Sequence, residues 1–495
     1  MSLIDISNLT FAYDGSYDNI FENVSFQINT DWRLGFTGRN GKGKTTFLNL
    51  LLGKFEYSGK ISASVKFQYF PYAVTDKTVS TDTIIAEICP LLQDWELLRE
   101  LSLLDVGEDV LDRPFATLSN GEQTKVLLAA LFLDDNNFLL IDEPTNHLDV
   151  NGREIVSSYL RGKSGYILVS HDRAFLDGCV DHVLSINRAN IEVQRGNFSS
   201  WFANKERQDG FELAENEKLK KDIKRLKQAA RQNEKWADKV ESTKLGKGAI
   251  GVENKKGHMV YAGEKSRRMQ QRRKNLERRQ QTAIDEKSKL LKNIEKSDSL
   301  KLTQIPYYKA MYLSLLEVGI YYGDNNVCSD ITFDVRRGDR IALYGKNGSG
   351  KSSILKLIRG ENISHTGSLS IGSGLKISYV SQDTSFLSGD LADYATQNGI
   401  DVSLFKAILR KLDFSRVQFE KDMADFSGGQ KKKTLIAKSL CEKAHLLIWD
   451  EPLNYIDVLS RMQIEELLLE YKPTILFVEH DSVFCARIAN KVITL

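Results

Sequence analysis

Apolar positions divide the chain into three regimes. Over residues 1–202 and again over 306–495, short apolar runs of strand type alternate with helical segments. That alternation predicts an α/β fold, twice. In the first block, strand-like alternation from the N-terminus leads through Trp32–Thr37 into a glycine-rich turn, and a helical Phe47–Leu52 follows. Further on come a helical Thr124–Leu131 and the buried-strand runs Phe138–Ile141 and Ile167–Ser170. The middle, 203–305, reads differently. Leu219, Ile223, Leu226 and Ala230 are spaced 4, 3, 4; Leu276, Ala283 and Leu290 recur every seven residues, with Ile294 four further on. These are seam positions of an antiparallel helical hairpin, each arm of about 40 residues extending roughly 60 Å. Gly246, Gly248, Gly251, Gly257 and Gly263 place the turn at about 244–263, with Ile250, Val252, Met259, Val260 and Tyr261 as its apolar residues.

Charge follows the same division. Residues 203–300 hold 27 Lys+Arg against 16 Asp+Glu and no proline, whereas the whole chain is only +2. A basic helical segment therefore lies between two mildly acidic blocks. A solvated helix face accounts for many charge runs; segregation on this scale favours contact with a phosphate backbone. No apolar run approaches the roughly 18 residues of a membrane span, and Met1–Gly15 lacks the pattern of a secretory signal. Cys89, Cys179, Cys328, Cys441 and Cys485 are widely spaced and form no CxxC, which argues against a disulfide framework or zinc site and for a reducing, cytoplasmic location.

Gly38-Arg39-Asn40-Gly41-Lys42-Gly43-Lys44-Thr45-Thr46 satisfies G-x-x-x-x-G-K-[ST] between a strand and a helix. Glycines let backbone N–H groups close around phosphate oxygens, and the helix presents its positive end. Lys44 would reach the terminal phosphates, and the Thr45 hydroxyl would ligate Mg²⁺. The run Phe138–Ile141 ends in Asp142-Glu143, suited to holding the metal (Asp142) and polarising water (Glu143). An ordinary core strand with an acidic end gives the same pattern. Ser119-Asn120-Gly121-Glu122-Gln123 opens a helix with an anion-binding turn, and His171 follows a strand, where a structural histidine is also common.

Every element returns in the second block. Gly345-Lys346-Asn347-Gly348-Ser349-Gly350-Lys351-Ser352-Ser353 is a second phosphate loop; Ser427-Gly428-Gly429-Gln430 repeats the anion turn; Asp450-Glu451 and His480 repeat the acids and the histidine. Lysine to turn serine is 75 residues in the first block and 76 in the second; lysine to glutamate is 99 and 100; glutamate to histidine is 28 and 29. Chance motifs do not keep step in this way, so the chain contains an internal repeat.

In this order the motifs resemble the ATP-binding-cassette nucleotide-binding domain. The phosphate loops match Walker A, Asp142-Glu143 and Asp450-Glu451 match Walker B, and His171 and His480 match the switch histidine. Ser119, Gly121 and Glu122, and Ser427 to Gln430, match the signature loop; Asn146–Asp149 and Asn454–Asp457 match the D-loop. The resemblance implies ATP and Mg²⁺ as ligands, with Tyr13 and Tyr322 stacking on adenine. It makes Glu143, Glu451, His171 and His480 catalytic, and it puts Thr45, Asp142, Ser352, Gln382 and Asp450 at the metal. It further implies head-to-tail pairing within one monomeric chain, Lys44 facing Ser427 and Lys351 facing Ser119. Tyr72 stands where the family carries the glutamine that Gln382 supplies in the second block, and His147 faces Tyr455 in the D-loop comparison. The two sites are therefore expected to be chemically unequal.

Two complete cassettes joined by a basic hairpin resemble the ABC-F family over essentially the whole chain, most closely its Lsa-type antibiotic-resistance proteins. The features shared with that type include Leu34–Gly41, Glu212–Lys218 and Ile448–Tyr455. This implies binding of the 70S ribosome at the tRNA exit site, with the 203–305 hairpin reaching P-site tRNA and 23S rRNA at the peptidyl-transferase centre. The implied outcome is displacement of lincosamides, pleuromutilins and streptogramin A. An ABC-F translation factor that relieves stalled ribosomes without conferring resistance, and the ATPase subunit of an efflux pump, are the other readings.

Overall fold

A computed structural model describes residues 2–13, 19–90, 93–134, 137–146, 148–187, 190–244, 278, 304–323, 325–346 and 348–495. The chain divides into two units, Met1–Trp201 with Ser299–Leu495, and Phe202–Asp298.

In the first half of the larger unit, strands β1 (Leu3–Phe11), β2 (Phe21–Asn29) and β4 (Ser58–Ser62) form an antiparallel sheet in the order β2-β1-β4. Strands β3 (Arg33–Thr37), β5 (Lys66–Phe70), β6 (Asn137–Asp142), β7 (Tyr166–Val169), β8 (His182–Asn187) and β9 (Asn190–Arg195) form the second sheet, order β5-β6-β7-β3-β8-β9. All neighbours in it are parallel except β8 and β9. Parallel strands need crossover connections, and here helices such as Lys44–Leu51 and Val150–Arg161 supply them. Leu139, Leu140 and Ile141 of β6 and the whole of β7 are buried, which explains their unbroken apolar runs. Phe36, Phe47, Phe138 and Ile167 lie in the core between the two sheets.

The second half repeats the plan. Strands β10 (Met311–Tyr322), β11 (Asn325–Arg336) and β13 (Ser364–Ile371) make the antiparallel sheet. Strands β12 (Arg340–Tyr344), β14 (Ile377–Val380), β15 (Leu446–Asp450), β16 (Ile475–Val478) and β17 (Lys491–Thr494) make the parallel one, order β14-β15-β16-β12-β17. The α/β expectation thus holds in both halves. In each parallel sheet the glycine-rich turn, the acid pair and the histidine follow adjacent strands at their carboxyl ends, where open α/β sheets bind ligands.

The halves also meet through a buried ion pair. Arg173 donates to both carboxylate oxygens of Glu465 in the other half, and Arg487 donates to the same carboxylate at 2.7 Å. The repeat places Ser482 and Ser157 at the equivalent positions, so this contact exists on one side only.

The helix Phe198–Lys244, most of which lies in the smaller unit, spans the expected first arm, with Leu219 half-buried and Ile223 buried. The side chains of Leu226 and Ala230 lie outside the described residues. So do Asn347, His147, the turn at 245–263 and the seam positions Leu276, Ala283, Leu290 and Ile294.

Removing one partner of a buried ion pair leaves the other charge undersolvated, at a cost of about 3 kcal/mol. Arg173→Met is therefore expected to destabilise the larger unit by about that much, read from the denaturant midpoint, whereas Arg173→Leu with Glu465→Leu restores most of it.

Candidate functional site

Each phosphate loop ends in a left-handed glycine that starts a helix. Gly43 has φ 95°, and an added Cβ would lie 2.5 Å from Ile20 Cγ2, so no other residue fits. Lys44 is buried and donates to the loop itself, to Gly38 O at 2.7 Å, Arg39 O at 3.3 Å and Asn40 Oδ1 at 3.2 Å. Lys351 does the same, to Gly345 O at 2.8 Å and Lys346 O at 2.7 Å. Burial lowers the pKa of both lysines, while nearby carboxylates oppose the shift. Each ammonium thus sits at the centre of a preformed ring of acceptors, available to an anion.

Next to each lysine a hydroxyl meets a carboxylate. Thr45 Oγ1 donates to Asp142 Oδ2 at 3.3 Å, and Ser352 Oγ donates to Asp450 Oδ1 at 3.0 Å. Paired hard oxygens beside a phosphate cradle fit Mg²⁺, which takes few protein ligands and completes its shell with phosphate and water. No cluster of three His, Cys, Asp or Glu able to hold a metal occurs among the described residues. Sequence reasoning missed Tyr69 and Tyr379. Their hydroxyls donate to Asp142 Oδ2 at 3.0 Å and to Asp450 Oδ2 at 3.4 Å.

Glu143 and Glu451 sit at φ 51° and 46°, a left-handed conformation unfavourable by about 1 kcal/mol for such residues. That conformation turns each carboxylate off the strand end toward the histidine. Glu143 Oε1 lies 3.3 Å from His171 Nε2, and Glu451 Oε1 lies 3.6 Å from His480 Nε2. The pairs differ electrostatically. Burial, with Asp142 beside it, pushes Glu143 up to about 8, and burial with Lys44 and Arg461 drives His171 well below its usual range, so both shifts favour the uncharged forms. Burial also acts on Glu451, but its bond and charge interaction with His480 and its bond from Asn454 outweigh it and hold the carboxyl below the ordinary value. Gln382 Nε2 donates to Glu451 Oε2 at 2.9 Å, and Asn454 Nδ2 does so at 2.6 Å. Gln382 therefore contacts the glutamate beside the metal-type carboxylate.

Two cavities gather these groups, each drawing on both halves. One, of about 530 Å³, holds Tyr13, Asn40, Gly41, Gly43, Lys44, Thr45, Thr46, Glu143 and His171 from the first half and Ser427, Gly428, Gly429 and Gln430 from the second. The other, of about 810 Å³, holds Gly348, Gly350, Lys351, Ser352, Ser353, Gln382, Glu451 and His480 opposite Ser119, Gly121 and Glu122. Both volumes lie in the range of nucleotide-sized sites. The structure thus brings Lys44 to Ser427 and Lys351 to Ser119. Gly38, Gly345, Asp142, Asp450 and Tyr322 are not in the cavity linings; Tyr322 bonds Ser353 Oγ at 3.2 Å, as Tyr13 bonds Thr46 Oγ1 at 2.8 Å. Glu122 lines its cavity, but its carboxylate caps the helix by accepting from Ser119 N at 2.7 Å.

The first cavity is closed by contacts across the halves. Asn40 Nδ2 donates to Tyr455 O at 2.7 Å, and Arg39 pairs with Asp413. Gly429 passes so close to the first half that an added Cβ would lie 3.2 Å from Asn40 Nδ2. At the second, Arg153 Nη1 donates to His480 O at 3.1 Å and to Asp172 Oδ2 at 2.8 Å. Asn146 lines both cavities.

The ABC transporter family profile matches residues 21–146 and 328–454, covering just over half of the chain and both copies of this arrangement. The chain belongs to the ABC transporter family. Its two cassettes bind ATP, and the protein is an ATP-hydrolysing enzyme. Relatives include "Ribosome protection protein VmlR" of Bacillus subtilis (strain 168), 26% identical over 100% of this chain and 86% of that protein. Another is "ABC transporter F family member 2" of Arabidopsis thaliana, 24% identical over 99% of this chain and 76% of that one. Among solved structures, the complex of archaeal ribosomal stalk protein aP1 and archaeal ribosome recycling factor aABCE1 shares the fold. Its TM-score is 0.64 at 18% identity, covering 98% of this chain and 87% of that one. No helix among the described residues is long and apolar enough to cross a membrane.

A carboxyl whose folded pKa is raised contributes stability below its unfolded pKa of 4.5 and loses it as pH rises through about 8. Nucleotide-free Glu143→Gln is expected to match the parent in Tm near pH 4.5 and to exceed it increasingly up to about pH 9. A constant difference across that range would show that Glu143 ionises freely.

Proposed function

We propose that the protein is a cytoplasmic ABC-F ATPase that acts on the ribosome as a monomer. With ATP bound, its cassettes close and it occupies the tRNA exit site. Its basic hairpin then reaches P-site tRNA and 23S rRNA at the peptidyl-transferase centre and displaces lincosamides, pleuromutilins and streptogramin A. The observation that carries this reading is the end-to-end likeness to a ribosome protection protein. The basic balance of 203–300 agrees with it, since phosphate contact needs no base sequence.

In this reading the chain consists of a first cassette (1–202), a hairpin (203–305) and a second cassette (306–495). Lys44 and Lys351 hold the terminal phosphates, Tyr13 and Tyr322 face the adenine, and the signature turns close over the nucleotide from the opposite cassette. Thr45 with Asp142, and Ser352 with Asp450 and Gln382, hold Mg²⁺, which when bound neutralises phosphate charge. Glu143 and Glu451 orient the attacking water, and His171 and His480 hold those carboxylates in place. The Asn40–Tyr455 contact exists only with the cassettes together, so nucleotide turnover is coupled to their closure.

The chain carrying Glu143→Gln and Glu451→Gln together is expected to sediment with 70S ribosomes in ATP and to release them in its absence. An ATP-independent pellet, or none, contradicts the reading. Expression of the active chain should raise the inhibitory concentrations of the three drug classes severalfold; an unchanged susceptibility with ATP-dependent ribosome binding would identify a translation factor without resistance. Because Gln382 meets Glu451 whereas Tyr72 stands at its counterpart, single Glu143→Gln and Glu451→Gln chains are expected to keep single-turnover rates that differ by about threefold or more, well below the roughly hundredfold or greater effect of a positioned acid or base.

A further inference from the structure

Beneath the second site lies a buried lysine with no counterpart in the first. Lys432, on the helix Gly428–Cys441 that follows the signature turn, is 1% exposed. Its Nζ donates to Ser381 O at 2.8 Å and to Asp450 O at 3.4 Å. Those two carbonyls belong to the residues immediately before Gln382 and Glu451, whose side chains hydrogen-bond each other at 2.9 Å. One ammonium therefore ties together the two backbone segments that present the glutamine and the glutamate.

An ammonium is costly to bury unless paired and hydrogen-bonded. Of the carboxylates whose charge Lys432 feels, Glu479 is the strongest, ahead of Asp450, Glu451 and Asp383. Glu479 is itself 5% exposed and completes the support from the other side. Its Oε1 accepts from Leu453 N at 2.7 Å, in the turn after Glu451, and its Oε2 accepts from His480 N at 2.9 Å. Between them the two buried side chains hold the segments carrying Gln382, Glu451, Asn454 and His480.

The first cassette has none of this. Repeat numbering sets Thr124 opposite Lys432, Ser170 opposite Glu479 and Tyr72 opposite Gln382. Thr124 Oγ1 turns back onto its own helix, to Asn120 O at 2.9 Å, and Ser170 Oγ accepts from Asp172 N at 3.2 Å. Three differences between the cassettes thus converge on one carboxylate. A lysine buried for core stability alone would have no reason to bond the two peptides that set Gln382 and Glu451.

We propose that Lys432, supported by Glu479, is a positioning residue for hydrolysis at the second ATP site, acting through Gln382 and Glu451. The inference rests on the reading of Glu451 as the group that orients water. The test is single-turnover hydrolysis in a Glu143→Gln chain, where the second site dominates, with the ATP concentration dependence and Tm recorded for each variant. Lys432→Met is expected to lower the rate constant about tenfold or more with little change in the half-saturating ATP concentration, since a misplaced group costs turnover rather than binding. The double change Lys432→Thr with Glu479→Ser installs the first cassette's uncharged residues. It should recover Tm while the rate stays low. A double variant with the parental rate would show a purely structural role for both residues and overturn the proposal; so would Lys432→Met at the parental rate, or one altered only in ATP affinity. Glu451→Gln in the same chain separates the two readings. If it abolishes turnover while Lys432→Met does not, only the role of Lys432 fails; if it too retains turnover, the assignment of Glu451 fails and the proposal with it.

Discussion

Lys44 and Ser427 line one cavity, and Lys351 and Ser119 line the other, although each pair is separated by hundreds of residues and belongs to two cassettes. Most other features of the larger unit follow from that exchange. A phosphate loop alone offers backbone N–H groups, an ammonium and a hydroxyl on one side of the nucleotide. The opposite side must come from a helix start with no bulky side chain, and a Cβ added at Gly429 would lie 3.2 Å from Asn40 Nδ2 of the first cassette. Cassette pairing and site assembly are consequently the same event, which is the requirement for a nucleotide to act as a switch.

The pairing is not symmetric, and the asymmetries are of two kinds. Arg173 with Glu465 and Arg487 joins the cassettes on one side only, as a buried contact. Around the glutamates, burial with Asp142 raises Glu143 beside His171, whereas Glu451, despite its burial, is held below the ordinary carboxylate value by His480 and Asn454 and also accepts from Gln382. One duplicated architecture therefore presents two different electrostatic environments to the same reaction. A protein that must close on one event and reopen on another can use such a difference, because two unequal sites need not release together.

Much of this was legible in the sequence because the chemistry fixes residue types at short range. A phosphate loop needs glycines and a lysine at set offsets, and an acid pair needs a buried strand before it; the repeat then confirmed both by equal spacing. Residues whose role depends on sheet register were not legible. Tyr69 reads as one more aromatic on an apolar strand, and only the pairing of β5 with β6, Tyr69 beside Leu140, carries its hydroxyl to Asp142. Arg173 and Glu465 lie 292 positions apart, with nothing local to mark either. Lys432 is one of three consecutive lysines, and its neighbours Lys431 and Lys433 mask the one that is fully buried. Over 219–230, seam spacing predicted a helix, and a helix runs from Phe198 to Lys244.

The most direct measurement of the central claim is the number of ATP molecules occluded per chain in two double variants, each with one phosphate-loop lysine and one signature serine disabled. Lys44→Ala with Ser427→Arg damages both halves of the first cavity and should leave one ATP occluded at the second. Lys351→Ala with Ser427→Arg damages both cavities and should leave none. If each cassette instead closed on its own signature turn, the two results would be exchanged, and the account of shared sites would be wrong.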